Sequence, residues 1–194
     1  REISKNFWIV DGTPTDCMIF ALNHLFNKNK PDLILSGINA GSNIGDEVSY
    51  SGTVAAAWEG AVRGIDSIAL SQYGGDDKIN SYECSQAKGF DIINYLLKIK
   101  SQTPRFYNVN FPFIISSNLE NVRSSFTTLA SQKIADEILF DDDFSSFMIG
   151  RMINDHSSLI NTDLECLKKN KISITPLSLN LSNNEFFNKM NHDI

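Results

Sequence analysis

Short apolar blocks of strand length and longer segments with helical spacing take turns along the first two thirds of the chain. Residues 6–10, NFWIV, form a short apolar run that reads as a buried strand. DGTPTD follows with helix-start signals: Thr13 suits the N-cap, and Pro14 suits the first helical position, where its missing N–H costs nothing. Asp16 then faces the positive end of the helix dipole. Met18, Ala21, Leu22 and Leu25 recur at helical spacing, and residues 32–36, DLILS, are a strand too short to be a helix. A glycine-punctuated loop runs from Gly37 to Gly52, and an Ala-rich helix from Thr53 to Arg63 is closed by Gly64, where a left-handed C-cap is usual. Residues 67–71 make another strand, residues 82–98 a helix with a broad apolar stripe, and residues 107–111 a strand ended by Pro112.

This strand and helix rhythm with short connections predicts an α/β fold whose mostly parallel sheet carries helices on both faces. From Ser124 the rhythm breaks. Segments at 126–130, 138–140 and 147–152 predict one or two β-hairpins, with Asp141, Asp142 and Asp143 marking a turn. A short helix near Leu164, a strand over 172–175 and a terminal helix from about Asn184 complete the expected order.

Composition narrows the function classes. The 194 residues suit one domain, and 17 Lys and Arg against 23 Asp and Glu give a net charge of −6. With no long basic run, general nucleic-acid binding is not expected, because that needs clustered cations to neutralise phosphates. No stretch approaches the roughly 18 to 20 apolar residues of a membrane span, so no membrane partner is expected. Cys17, Cys84 and Cys166 are odd in number and far apart, which disfavours a disulfide framework or a zinc site and fits a reducing, cytoplasmic setting. The chain starts at Arg1 rather than Met, so the lack of a leader carries no weight.

The loop GINAGSNIGDEVSYSG occupies the place where doubly wound sheets bind ligands, outside the carboxyl end of a strand. Its glycines at 37, 41, 45 and 52 let backbone approach a ligand, its amides could form an anion-binding concavity, and it feeds a helix N-terminus. Neither nucleotide-binding consensus is met: no Lys lies between Lys30 and Lys78, and the glycine spacing is not G-x-G-x-x-G. Spacing alone leaves a phosphate site and a structural turn both open. Asp46 and Glu47 are the acids in this loop, more often capping or solvated than functional at such a place. His24, His156 and His192 have no acid partner at a telling spacing and are assigned no catalytic role. Cys17 reads as a small packing residue.

The run PDLILSGINAGSNIGDEVSYSGTVAAAWEGAVRGIDSIALSQ, with DGTPTDC before it and NVNFP, TD and ISITPL after it in order, closely resembles the SurE (survival protein E) family of metal-dependent 5′/3′-nucleotidases. The resemblance spans nearly the whole chain. It implies a Rossmann-like three-layer sandwich over about residues 1–123, followed at about 124–194 by a hairpin arm, a last strand and a terminal helix that form an oligomerisation extension, all within one domain. It also implies one divalent ion, Mg²⁺ or Mn²⁺, with Asn39 as a ligand, whose carbonyl oxygen suits a hard cation. Asn43 and Ser51 are implied as catalytic residues against the scissile phosphate, with Gly52 and Thr53 adding backbone amides. The implied substrates are nucleoside monophosphates, and the implied assembly is a homodimer or homotetramer.

The sequence departs from the family in lacking its Asn-Asp-Asp-Gly segment and a Ser some thirty residues beyond it, both metal-binding. The expectation is therefore a chain that begins after the first third of the Rossmann-like unit and is inactive or weakly active by itself. Binding by Asn39 alone leaves a divalent ion without charge compensation. A missing central strand would also leave a sheet edge in need of a partner, with poor solubility or self-association as the result. The alternative reading is a non-catalytic relative that binds phosphate or only oligomerises.

Overall fold

The protein is described by a computed structural model covering residues 1–74, 82–114, 116–131, 133–154 and 160–190. In chain order its elements are β1 (Glu2–Ser4), β2 (Phe7–Trp8), α1 (Pro14–Phe20), β3 (Leu33–Ala40), α2 (Gly52–Val62), β4 (Asp66–Gln72), α3 (Glu83–Lys98), β5 (Phe106–Phe111), β6 (Ser124–Phe126), β7 (Lys133–Phe140), β8 (Phe147–Asn154), α4 (Asp163–Lys168), β9 (Ile172–Pro176) and α5 (Asn184–Met190). A π-helical turn at Ala21–Leu25 continues α1, and a 3-10 helix at Gly45–Tyr50 leads into α2.

The main sheet has the order β3-β4-β5-β9-β6. β3, β4 and β5 are parallel; β9 lies antiparallel to β5 and parallel to β6. The mostly parallel α/β architecture read from the sequence is thus present. β6 adds to this sheet instead of pairing in a hairpin, whereas β7 and β8 form a separate antiparallel hairpin, Phe140 opposite Phe147, with Asp141 accepting from the Ser146 backbone N–H at 2.9 Å in the turn.

The sheet's two faces differ in chemistry because side chains alternate along each strand. One face presents Ile68, Leu70, Tyr107, Val109, Phe111, Ile172 and Ile174 to Cys84, Ile92 and Leu96 of α3. Burying each such aliphatic side chain contributes roughly 1.5–3 kcal/mol. The opposite face packs Ala69 and Phe106 against Val54, Ala57 and Ala61 of α2, but toward the carboxyl ends of the strands it turns polar, with buried Ser71, Asn108, Asn110, Ser173 and Thr175. Gln72, at the end of β4, ties the layers together. Its Nε2 donates to the carbonyl oxygens of Phe111 and Pro112 at 3.2 and 2.9 Å, while its Oε1 accepts from the Ser85 N–H at 3.1 Å. Tyr82 offers α3 no side-chain cap, so Gln72 satisfies a helix-start N–H from outside the helix.

Two expectations change. Residues 6–10 are not a buried core strand: Phe7 and Trp8 pair only with the neighbouring β1, Phe7 and Ile9 are exposed, and Trp8 is half-buried against Phe20. The apolar run is short and its only ladder is local. The strand expected at 32–36 continues to Ala40, so the first residues of the expected loop belong to β3. The ladder slips between Ser36 and Asn39, where Gly37 takes φ +127° and leaves no room for a Cβ against the Leu70 carbonyl. Only glycine fits there.

Candidate functional site

The loop between β3 and α2 is held by side chains that converge on it from four elements. α1 opens as its sequence dictates: Thr13 Oγ1 accepts from the Asp16 N–H at 3.2 Å and Asp16 Oδ2 accepts from the Thr13 N–H at 2.8 Å, a closed capping box with Pro14 at the first position. This turn abuts the start of α2, where a Cβ on Gly52 would stand 3.0 Å from Pro14 Cγ.

Asn39 lies near the end of β3, in register with Ser71 of β4. Its Nδ2 donates to the Gly41 carbonyl at 3.0 Å, and its amide oxygen accepts no hydrogen bond from the described residues. Asn43 is buried and joins the same neighbourhood, its Nδ2 donating to Ser71 Oγ at 2.7 Å. Its backbone is gripped from β5. The Asn43 N–H donates to Asn110 Oδ1 at 2.8 Å, and the Asn43 carbonyl accepts from Asn110 Nδ2 at 3.0 Å and from Asn108 Nδ2 at 2.7 Å. Asn108 and Asn110 are fully buried, and Asn108 Oδ1 has no hydrogen-bond partner among the described residues.

The next two amides are also taken. The Ile44 N–H donates to Glu47 Oε2 at 2.9 Å, and the Gly45 N–H donates to Asp163 Oδ2 at 2.8 Å. The anion-binding concavity expected of this loop is therefore not formed by residues 43–45: three successive N–H groups bond to side-chain acceptors of the protein itself. Burial pushes the Glu47 carboxyl above its ordinary range against the pull of the Ile44 N–H, and the nearby Asp163 adds to the rise. Burial likewise raises Asp163, although the Gly45, Ala130 and Leu164 amides oppose it.

Ser51 is the N-cap of α2, its Oγ accepting from the Val54 N–H at 3.1 Å. The helix begins at Gly52, one residue earlier than the sequence suggests, so Gly52 and Thr53 occupy its first two positions. Their N–H groups have no acceptor among the described residues, which leaves two donors uncommitted at the positive end of an 11-residue helix. Ser51 also lines a cavity of about 510 Å³ with Thr15, Val48, Val54, Trp58 and Leu181; neither Asn39 nor Asn43 borders it. The structure thus groups Asn39 and Asn43 around Ser71, and Ser51, Gly52 and Thr53 at the helix start.

A divalent ion needs about six oxygen ligands, several of them anionic. The described residues place neutral amide oxygens here, Asn39 Oδ1 among them, and no group of three His, Cys, Asp or Glu, so as they stand they do not make such a site. His24 stacks on Phe20, and His156 and His192 lie outside the described residues. Cys17 is half-buried; Cys84 is buried and its thiol is pushed up to about 11 by that burial, which leaves it protonated and inert.

Sequence reading missed Ser71, Asn108, Asn110 and Asp163 as parts of this site. A signal existed for the asparagines: NVN in a strand puts two amides on one face, and Asn is unfavourable in a buried strand without a partner to satisfy it. Asp163 had a weaker one, as the residue after a helix-capping Thr162.

The family model described as Survival protein SurE matches residues 1–136. The 5′-nucleotidase SurE of Paramagnetospirillum magneticum is 37% identical over 188 residues, covering 95% of this chain and 72% of that protein. The 5′-nucleotidase SurE of Vibrio vulnificus is 35% identical over 191 residues, covering 97% of this chain and 72% of the relative. The crystal structure of the SurE protein from Aquifex aeolicus superposes with a TM-score of 0.82 at 29% identity, covering 99% of this chain and 77% of that one. The ordered motifs, the fold and these likenesses together establish that the chain belongs to the SurE family.

Proposed function

We propose that this protein acts on nucleoside monophosphates as a phosphomonoesterase, on 5′ and 3′ phosphates alike, and that its own share of the work is to hold the phosphate at the start of α2. The relatives' shared name, 5′-nucleotidase, supports the reaction class. The observation that carries the location is the contrast in amide use: residues 43–45 have theirs bonded internally, while Gly52 and Thr53 leave theirs open beside the Ser51 hydroxyl. Backbone donors and a helix dipole aimed at one point stabilise a dianion as its charge is redistributed in phosphoryl transfer. The family resemblance brings Asn43 to the phosphate as well; locked by the β5 asparagines, its Nδ2 keeps one proton beyond its bond to Ser71.

Turnover in this family reading also calls for Mg²⁺ or Mn²⁺. Asn39 would offer it one oxygen, and the carboxylates it needs are not among the described residues. Three free cysteines suit a reducing compartment, and a cytoplasmic location is proposed on that ground. For assembly, the proposal is a homodimer or homotetramer formed through the β7–β8 hairpin.

Substitution of Ser51 tests the location. Ser51→Gly removes the hydroxyl yet costs the helix start only a few tenths of a kcal/mol, whereas Ser51→Ala costs about 1 kcal/mol. Both variants are expected to weaken AMP binding, measured by calorimetry, by about threefold or more, the factor that one neutral hydrogen bond supplies. Equal affinity in the wild type and Ser51→Gly would move the phosphate elsewhere.

A further inference from the structure

The path of the loop from Asn43 to Ser51 is set from a distant part of the chain. Asp163, the first residue of α4, is fully buried and stands 118 residues from Gly45 in sequence. Its carboxylate collects three backbone N–H groups from three segments: Gly45 on Oδ2 at 2.8 Å, and Ala130 and Leu164 on Oδ1, each at 2.9 Å. Its own N–H donates to the Thr128 carbonyl at 2.9 Å, so the residue is fixed before it fixes anything else. The junction is tight on the loop side as well. Gly45 takes φ +52°, and a Cβ there would stand 2.5 Å from the Ala130 carbonyl oxygen, so the loop and the segment after β6 meet backbone to backbone.

A buried carboxylate is costly unless its lone pairs are taken, and an apolar residue would fill this space more cheaply if packing were the only demand. What a carboxylate supplies that an apolar residue cannot is a set of directed acceptors for amides that would otherwise be orphaned at a crossing of three segments. Two of the three donors belong to other segments, and one of these is the residue just before Asp46 in the loop. We propose that Asp163 is a positioning residue for the phosphate-binding loop: by holding the Gly45 N–H it fixes the direction in which the chain leaves Asn43 and reaches Ser51. The inference rests on the phosphate-binding reading of that loop, and Asp163 itself touches no substrate.

The test uses Asp163→Asn. An asparagine can keep its Oδ1 with Ala130 and Leu164 but turns an NH₂ group toward the Gly45 N–H, so it breaks one of the three bonds selectively. Amide hydrogen exchange followed residue by residue should show Gly45 and its neighbours through Tyr50 opening at least tenfold faster, with Leu70 of β4 and Val109 of β5 unchanged. The apparent Kd for AMP should rise threefold or more. Wild-type exchange at Gly45 in the folded variant would overturn the proposal; so would equal acceleration of the loop and of β4 and β5, which would make Asp163 a general stability residue. If Asp163→Asn does not fold, the wild-type protein decides: Gly45, Ala130 and Leu164 should share one protection level because they share one carboxylate. A Gly45 amide exchanging as fast as an exposed loop amide would overturn the proposal. Wild-type protein that shows the loop protection but does not bind AMP would fail the phosphate reading alone, which keeps the two claims separate.

Discussion

At the scale of single residues, the loop is organised by acids that serve the backbone. Glu47 reads from sequence as more often capping or solvated than functional, and in the structure its carboxylate does cap, accepting from the Ile44 N–H at 2.9 Å. Its folded-state pKa lies above the ordinary 4.5, with burial as the main cause and the Asp163 charge as a further one. The folded state then holds a proton that the unfolded chain has released, so this group's contribution to stability falls as pH rises from 4.5 through the raised value and is flat beyond it. A glutamine in place of the acid keeps an acceptor for the Ile44 N–H and cannot ionise. The stability of Glu47→Gln relative to the wild type should therefore increase with pH across that window, as read from urea denaturation at several pH values. A difference independent of pH would show that the carboxyl is not raised.

Local chemistry was legible at this scale and distant chemistry was not. Thr13, Pro14 and Asp16 lie within one turn of each other, so their capping box could be read directly from the text. The capture of the Gly45 N–H by Asp163 depends on a chain crossing 118 residues away, and nothing local to either residue announces it. The same holds for Asn110, whose two-point grip on the Asn43 backbone depends on β5 lying two strands from β3 in the same sheet.

At the scale of elements, α2 sits against the sheet through glycine. A Cβ on Gly60 would collide with Ile34 Cδ1 of β3 and stand 2.6 Å from Ser67 Oγ of β4. An alanine at this position gains about 1 kcal/mol of helix propensity over glycine. Overpacking a close contact typically costs about 1–3 kcal/mol, and two buried side chains, Ile34 and Ser67, would both have to shift here, so the cost wins. Gly60→Ala should lower the denaturation midpoint with an unchanged m-value; an unchanged or raised midpoint would show that the helix can shift off the sheet freely. The Ala-rich pattern of α2 and its Gly64 end, at φ +83°, were both visible in the sequence. The extension of β3 through Gly37 and Asn39 was not, because the strand is continued by its ladder to β4 across a register slip, a long-range property invisible to local pattern.

At the scale of the whole molecule, the β7–β8 hairpin stands apart from the main sheet and exposes Phe140, Phe147, Met148 and Ile149, the last three at 64–65%. An isolated two-stranded hairpin is at best marginal in water, and one that exposes large apolar side chains on both faces marks an interaction surface. The sequence placed a hairpin here from its alternating pattern and the Asp141 turn. It could not show that β6, just upstream, joins β9 instead. If the hairpin carries self-association, light scattering should show a dimer or tetramer, and the double substitution Phe147→Asp and Ile149→Asp should shift it to a monomer with the rest of the fold intact. A wild-type monomer at micromolar concentration would contradict this assembly.

If the loop and helix start of this SurE-family chain hold a nucleoside monophosphate as proposed, turnover depends on acidic ligands that the described residues do not supply beside Asn39. The most direct test is phosphate release from 5′-AMP and 3′-AMP with Mn²⁺, Mg²⁺ or chelator. It would compare this chain with a form carrying the family's Asn-Asp-Asp-Gly segment ahead of Arg1. The expected result is turnover in the form with the acidic segment, abolished by chelator and by Asn39→Ala, and little or none without that segment. Release that persists unchanged in Asn39→Ala would remove Asn39 from the ion site, and no release from either form under any metal would rule out the nucleotidase reading.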